Sequence, residues 1–213
     1  MPLQLSSLLL LFVGAYLLGS IPFGLLFAKV LGGKDVRQHG SGNVGATNVS
    51  RVAGPLAGIL TLIFDTAKGA VPVLAAGRIF DHSATAMMLA GLGSLAGHCF
   101  SFCLRFRGGK GVATALGVFG ALSPTATFGA VAVFALTFFF WQYVSFASLA
   151  AAAAMPLLIY FSWAPRHAPP FVISFGTLAA TTLIFFKHSG NLRRLTQGTE
   201  PKYSLKKSKG DGA

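Results

Sequence analysis

Charge is scarce in this chain. Only 10% of the residues are Asp, Glu, Lys or Arg, against 54% apolar residues. A chain of 213 residues with that balance is excluded from the ordinary soluble domains and reads as an integral membrane protein. Within the charged set acidic residues are rarer still, five against seventeen basic ones. In a soluble chain the resulting net charge of +12 would suggest nucleic acid as a partner. Here most of the basic residues sit in short segments between apolar spans, so nucleic acid is set aside and the charge reads as topology and attraction to anionic lipid or substrate. Cysteine is nearly absent. Cys99 and Cys103, one turn apart beside His98, offer too few ligands for zinc, and a cytoplasmic setting disfavours a disulfide; both are expected to be buried small hydrophobes. Met1 to Ser7 lacks the positive n-region of a cleaved signal peptide, and the apolar run after it is too long for an h-region, so the first span is expected to stay. No internal repeat is visible, direct or inverted, which weakens the case for a secondary transporter.

What is present is a series of long apolar runs. A bilayer core of about 30 Å needs about 20 helical residues, and the chain offers seven candidate helices, near 3 to 31, 55 to 79, 84 to 104, 110 to 122, 125 to 141, 144 to 163 and 169 to 187. The fourth is short, and Ser123-Pro124 separates it from the fifth, so it is expected to enter at a slant or span only partly. With the N-terminus outside, the inside collects Lys29, Lys34, Arg37, Arg51, Arg105, Arg107, Lys110, Lys187, Arg193, Arg194, Lys202, Lys206, Lys207 and Lys209, fourteen of the seventeen basic residues. Arg78 and Arg166 fall outside and Lys68 lies within the second helix. The positive-inside rule therefore predicts an all-α membrane protein with its N-terminus out and its C-terminus cytoplasmic. Residues 1–199 form one membrane domain, and 200–213 read as a basic, disordered tail touching anionic headgroups. The outside loops carry no cluster of chemical groups, so function is expected at the cytoplasmic face.

Three inside segments carry that chemistry. Gly40 to Arg51 reads Gly-Ser-Gly-Asn-Val-Gly-Ala-Thr-Asn-Val-Ser-Arg, the composition of a phosphate cradle. Gly40, Gly42 and Gly45 let peptide N–H groups approach an anion, Ser41, Asn43, Thr47 and Asn48 add donors, and Arg51 can fork onto two oxygens. The plainer reading is a flexible polar loop. Its glycines imitate a dinucleotide fingerprint, but Val36-Arg37-Gln38-His39 is no buried strand and no βαβ unit follows, so that fold is excluded. The second segment, Arg107-Gly108-Gly109-Lys110-Gly111, places glycines and a cation at a helix start. It is not a Walker A loop, because Leu104 stands where the first glycine is needed and Gly111 where a hydroxyl would hold magnesium; it reads as an anion cradle without a metal. In the third, His188 and Asn191 share one helical face, and histidine suits proton transfer near neutral pH.

Within the spans, Asp65 and Lys68 lie on one face of the second helix, where charges must pair or face a cavity; a structural ion pair is expected, with His98 nearby as a supporting residue. Gly93 and Gly97 have the spacing of close helix packing. Ser145 and Ser148 begin the sixth helix, to cap it or add a donor to the site.

With these segments in view the sequence resembles the bacterial acyl-phosphate:glycerol-3-phosphate acyltransferases, the PlsY family. The resemblance runs through Gly19-Ser20-Ile21-Pro22, Gly40 to Arg51, Asp65 to Gly69, His98 to Thr114, Tyr143-Val144-Ser145 and His188 to Glu200. Ser101 stands where the family usually has proline and Gln142 where it often has arginine. The resemblance implies transfer of an acyl chain from acyl phosphate to the 1-hydroxyl of glycerol 3-phosphate, giving lysophosphatidic acid and phosphate, in a bacterial inner membrane. It implies no cofactor and no metal, and a soluble enzyme that makes acyl phosphate as a partner. Ser41, Asn43, Arg51, Lys110 with its glycines, His188 and Asn191 would line the active site. Arg51, Lys110 and the loop N–H groups would stabilise charge, and His188 with Asn191 would orient the hydroxyl. His188 and a substrate phosphate oxygen are both candidates for the base. A small transporter of an organic phosphate and a scaffold subunit of a lipid-synthesis complex are the competing readings.

Overall fold

A computed structural model describes residues 4–163 and 168–203. Arg166 and the lysine-rich stretch from Ser204, both used above, lie outside the described residues. Among the described residues all regular structure is helical: α1 (Leu5–Gly19), α2 (Phe23–Gly32), α3 (Ala46–Ala53), α4 (Pro55–Ile79), α5 (Ala84–Cys99), α6 (Val112–Leu122), α7 (Pro124–Trp141), α8 (Val144–Trp163), α9 (Phe171–Lys187) and α10 (Ser189–Thr196), with short 3-10 turns at Val36–Gln38 and Phe102–Leu104.

Five segments are long and apolar enough to cross a bilayer: Leu5–Gly32, Pro55–Ile79, Ala84–Leu104, Pro124–Trp141 and Val144–Trp163. The pair α9 and α10, bent by 61°, makes a sixth if counted as one span. With 11 residues, α6 is about 16 Å long and cannot cross alone, so among the described residues five or six segments are long enough to span, where seven helices were expected. The surface is turned outward to lipid. Leu10, Val30, Phe128, Phe139 and Phe171 are 74–78% exposed, an apolar exterior that only a hydrocarbon solvent tolerates.

The sequence reads 3 to 31 as a single helix, whereas the chain breaks at Ser20-Ile21-Pro22. Pro22 has no N–H to donate and biases Ile21 away from the α region, and inside a membrane a freed carbonyl needs a partner. Ile21 O accepts from Lys68 Nζ at 2.8 Å as well as from the Phe23 N–H at 3.1 Å. A second unforeseen helix is α3, inside the polar segment 32 to 54. Asn43 Oδ1 receives the Gly45 N–H at 2.8 Å just before it, and Gly54 ends it at φ +95°, after which Pro55 opens α4.

Glycines let α1 pack closely on α5 and α6 on α4. A Cβ on Gly97 would strike Tyr16 O of α1, and Cβ atoms on Gly69 and Gly117 would strike Thr114 O and Thr66 O across the α4–α6 contact. Gly93 and Gly97 thus do the close packing expected of them. The short α6 is held against α4, α7 packs on α8, and α8 and α5 meet α9. These contacts carry the ends of α3, α6 and α9 to one side of the bundle.

Candidate active site

A cavity of about 690 Å³ opens where those ends meet. Its mouth is lined by Ser41, Asn43, Gly45, Thr47 and Arg51 from the first segment, Lys110 and Gly111 from the second, and His188, Asn191, Arg194 and Glu200 from the third. All three inside segments singled out in the sequence therefore converge.

The first segment is organised by Asn48, which is 3% exposed. Its Nδ2 donates to Val36 O, His39 O and Asn43 O at 3.2, 3.1 and 2.9 Å, and its Oδ1 accepts from Ser41 N at 2.9 Å. Asn48 was expected to donate to an anion; its donors are instead committed to the loop. Gly40 and Gly42 stand at φ +60° and +69°, and a Cβ on Gly40 would collide with Asn48 Oδ1. Their role is conformational, and neither lines the cavity. Facing it are the first residues of α3, Ala46 and Thr47, whose N–H groups precede the first helical hydrogen bonds and favour an anion. Arg51, one turn on, holds its guanidinium 5.7 Å from the centre of the Tyr203 ring.

In the second segment the glycines also do something other than expected. The Gly108 N–H donates to Cys99 O at 3.2 Å and the Gly109 N–H to His98 O at 3.0 Å, so these two amides fasten the loop to the end of α5 rather than cradle a phosphate. Any side chain at Gly109 would meet the His98 ring. The carbonyl of Cys99 also accepts from Lys187 Nζ at 2.8 Å, which ties the loop to the end of α9. The anion-facing groups left are Lys110, Gly111 at φ +83°, and the first turn of α6. Cys99 is buried as expected, but Cys103 is exposed.

Lys110, His188 and Asn191 form one constellation with Glu200. Lys110 Nζ donates to Asn191 Oδ1 at 2.5 Å, and Asn191 Nδ2 donates to Glu200 Oε1 at 2.6 Å. Ser145 Oγ donates to the same oxygen at 2.6 Å, and Arg194 Nε donates to Oε2 at 2.7 Å. The hydroxyl of Ser145 is thus committed to Glu200 rather than to a ligand. Ser148 bonds back to Val144 O at 2.8 Å. Burial alone would raise the Glu200 carboxyl, but the hydrogen bonds from Ser145, Asn191 and Arg194 hold it below the usual carboxylate range. Burial lowers Lys110 to about 8, opposed by Glu200 and aided by Arg194 and Arg51. His188, 2% exposed, is lowered by burial to about 4, with Lys110 adding to the shift. Its Nδ1 lies 2.8 Å from Ile184 O; the neutral ring then carries its hydrogen on Nδ1, leaving the Nε2 lone pair to accept.

Sequence reasoning missed Glu200, Arg194 and Tyr203 as members of the site. The tail was expected to begin at residue 200, yet Glu200 to Tyr203 is docked: Tyr203 N donates to Gln142 O at 2.9 Å, and its ring meets Phe138 at 5.9 Å. A lone glutamate in an otherwise cationic stretch was the available signal. Deeper, Lys68 Nζ and Asp65 Oδ1 form the expected pair at 2.7 Å, with His98 Nδ1 3.7 Å from the same oxygen. Asp65 and His98 also line the cavity. Among the described residues no group of three or more His, Cys, Asp or Glu side chains could hold a metal ion.

A family model for glycerol-3-phosphate acyltransferase matches residues 9–198. The glycerol-3-phosphate acyltransferase of Trichlorobacter lovleyi is 51% identical over 190 residues, 89% of this chain and 94% of the relative. That of Syntrophotalea carbinolica is 44% identical over 199 residues, 93% of this chain and 99% of the relative. Among solved structures, PlsY, an integral membrane glycerol 3-phosphate acyltransferase, superposes in its glycerol 3-phosphate form with a TM-score of 0.85 at 39% identity, covering 93% of this chain and 96% of that one. Its lysophosphatidic acid form superposes with a TM-score of 0.84. Similarity at that level across all three cavity-lining segments shows that the chain belongs to the glycerol-3-phosphate acyltransferase family of integral membrane enzymes.

Proposed function

We propose that the protein moves an acyl group from acyl phosphate to the 1-hydroxyl of sn-glycerol 3-phosphate. The observation that carries this reading is a single cavity with a cationic, hydrogen-bonding mouth that runs into an apolar groove between α6, α7 and α8. Two phosphates and one hydrocarbon chain need that combination. Solved relatives hold glycerol 3-phosphate and lysophosphatidic acid, the acceptor and the product of such a transfer.

Acyl phosphate is already an activated anhydride, so no covalent nucleophile is required. The acceptor oxygen attacks the carbonyl carbon, the bond from that carbon to the bridging oxygen breaks, and phosphate departs. Arg51, Lys110 and the first-turn N–H groups of α3 and α6 stabilise the charge that develops on carbonyl and leaving oxygens. Asn191, fixed between Lys110 and Glu200, and Nε2 of His188 orient the hydroxyl. A base of pKa about 4 is weaker than a phosphate monoester dianion, whose conjugate acid loses its proton near pH ~6. The departing phosphate grows more basic as its bond breaks. The hydroxyl proton therefore goes to phosphate, and hydrogen phosphate leaves; His188 positions.

The excess of basic residues on one side supports an N-terminus outside and a site at the cytoplasmic face of the inner membrane, where a soluble enzyme can deliver the acyl phosphate. Exposed Ile59 and Leu62 of α4 on the cavity rim let the chain enter from lipid. An organic-phosphate transporter would need a path to the other face, and a scaffold would not need these polar residues. The test is to incubate purified protein with glycerol 3-phosphate and either acyl phosphate or acyl-coenzyme A. Lysophosphatidic acid from acyl phosphate alone is expected; product from the thioester alone, or none, refutes the reading.

A further inference from the structure

The apolar arm of the cavity has a definite length. On α8 the cavity face runs from Ser145, whose hydroxyl touches Glu200 at the mouth, to Met155. Ten residues separate them, about 15 Å at ~1.5 Å per residue. That is half of a bilayer core of about 30 Å, the depth of one leaflet and so of the chains that membrane lipids carry. On α7 the parallel face ends at Thr127, beyond Ala130.

The far end is walled by buried side chains. Phe119 of α6 and Met155 of α8 are 2% and 7% exposed, and both line the cavity. They belong to one buried cluster with Ala126 and Ile159, which do not line the cavity. Between the mouth and the far end the small Ala115, Ala130 and Ala152 line the cavity beside the larger Leu116, Val131 and Phe134. Ala152 lies one turn nearer the mouth than Met155, so a longer side chain there would intrude on the path without disturbing the polar constellation.

We propose that Met155 and Phe119 are the stop of an acyl ruler, and that the small side chain of Ala152 keeps the path to it open, so that these residues set the chain length the enzyme accepts. The inference rests on the acyl-transfer reading and adds the substrate's length class: chains that reach from the mouth to the Met155 sulphur fit, shorter ones leave apolar wall unfilled, and longer ones must distort the floor. A hydrophobic pocket discriminates one methylene by about 10- to 200-fold at best, so the preference is expected to be graded.

The test uses the full-length protein in lipid bilayers with glycerol 3-phosphate and an equimolar series of saturated acyl phosphates, reading the chain composition of the lysophosphatidic acid formed. Met155→Ala is expected to move the preferred length up by two or more carbons, and Ala152→Leu to move it down, with about 10-fold or greater changes in the ratio of kcat/KM for long against short chains. KM for glycerol 3-phosphate should stay within about twofold in both. Lysophosphatidic acid with an unchanged length profile in both variants overturns the ruler while leaving acyl transfer intact. Absence of lysophosphatidic acid from the parent protein with every chain overturns the acyl-transfer reading on which the ruler rests. A variant that loses all activity is replaced by the milder Met155→Val or Ala152→Val, for which the same directions hold.

Discussion

Glu200→Gln keeps the shape of the side chain and removes its charge, and it tests whether this glutamate organises the site. The parent carboxylate, 7% exposed in the native fold, accepts from Ser145, Asn191 and Arg194. A glutamine offers one acceptor oxygen and turns an N–H₂ toward at least one of those donors. Hydrogen bonds to a charged group contribute about 1.5–3 kcal/mol each. The bond to the Arg194 side chain, 41% exposed, is discounted for solvent, so about 2–3 kcal/mol of organisation is lost. If that organisation acts on the transition state through Asn191, kcat/KM should fall about 30- to 150-fold. A second effect has a sign of its own. Glu200 favours the charged form of Lys110, which titrates at about 8; without it the lysine loses its proton at lower pH. The alkaline limb of kcat/KM, which reports the free enzyme, should therefore move to lower pH in Glu200→Gln. A variant within threefold of the parent with its alkaline limb unmoved would mean that Glu200 is only a surface latch.

His188→Ala and Asn191→Ala should each reduce turnover strongly, by about 100-fold or more, and the double variant should be little worse than the poorer single one, because both hold one hydroxyl; additive losses in steady-state kinetics contradict this. His188 is neutral above about 4, so an acidic limb near the substrate's own ~6 should survive in His188→Ala at reduced rate; its disappearance would return the base role to the imidazole. Asp65→Asn leaves Lys68 buried without its partner and should destabilise the protein by about 3–5 kcal/mol, seen as a lower unfolding temperature in detergent; an unchanged temperature argues against the ion pair as a structural pin. Tyr203→Ala should raise KM for an anionic substrate by about two- to fivefold through a less constrained Arg51, in line with the ~0.5–1 kcal/mol of an exposed cation–π contact, and Tyr203→Phe should not.

The spans were legible because each must present a long apolar run, and the inside segments because basic residues and glycines interrupt those runs. Other features depend on partners distant in sequence. The break at Ser20-Ile21-Pro22 is flanked by apolar residues on both sides, and what helps sustain it, Lys68 on the Ile21 carbonyl, comes from another helix. The amides of Gly108 and Gly109 looked free because their acceptors, Cys99 O and His98 O, belong to the preceding helix. Helix α3 escaped because eight polar-rich residues between glycines carry no apolar run. Glu200 sits in a stretch whose composition reads as solvated tail, and its role appears only when Ser145, Asn191 and Arg194 are brought to it.

The central claim, attack by the acceptor hydroxyl on the acyl carbon, is tested most directly by isotope. Glycerol 3-phosphate carrying oxygen-18 in its 1-hydroxyl is turned over with unlabelled acyl phosphate, and both products are weighed by mass spectrometry. The account predicts the label in the ester of lysophosphatidic acid and none in the released phosphate. Label in a new phosphate ester, with free fatty acid released, would mean attack at phosphorus and would contradict acyl transfer.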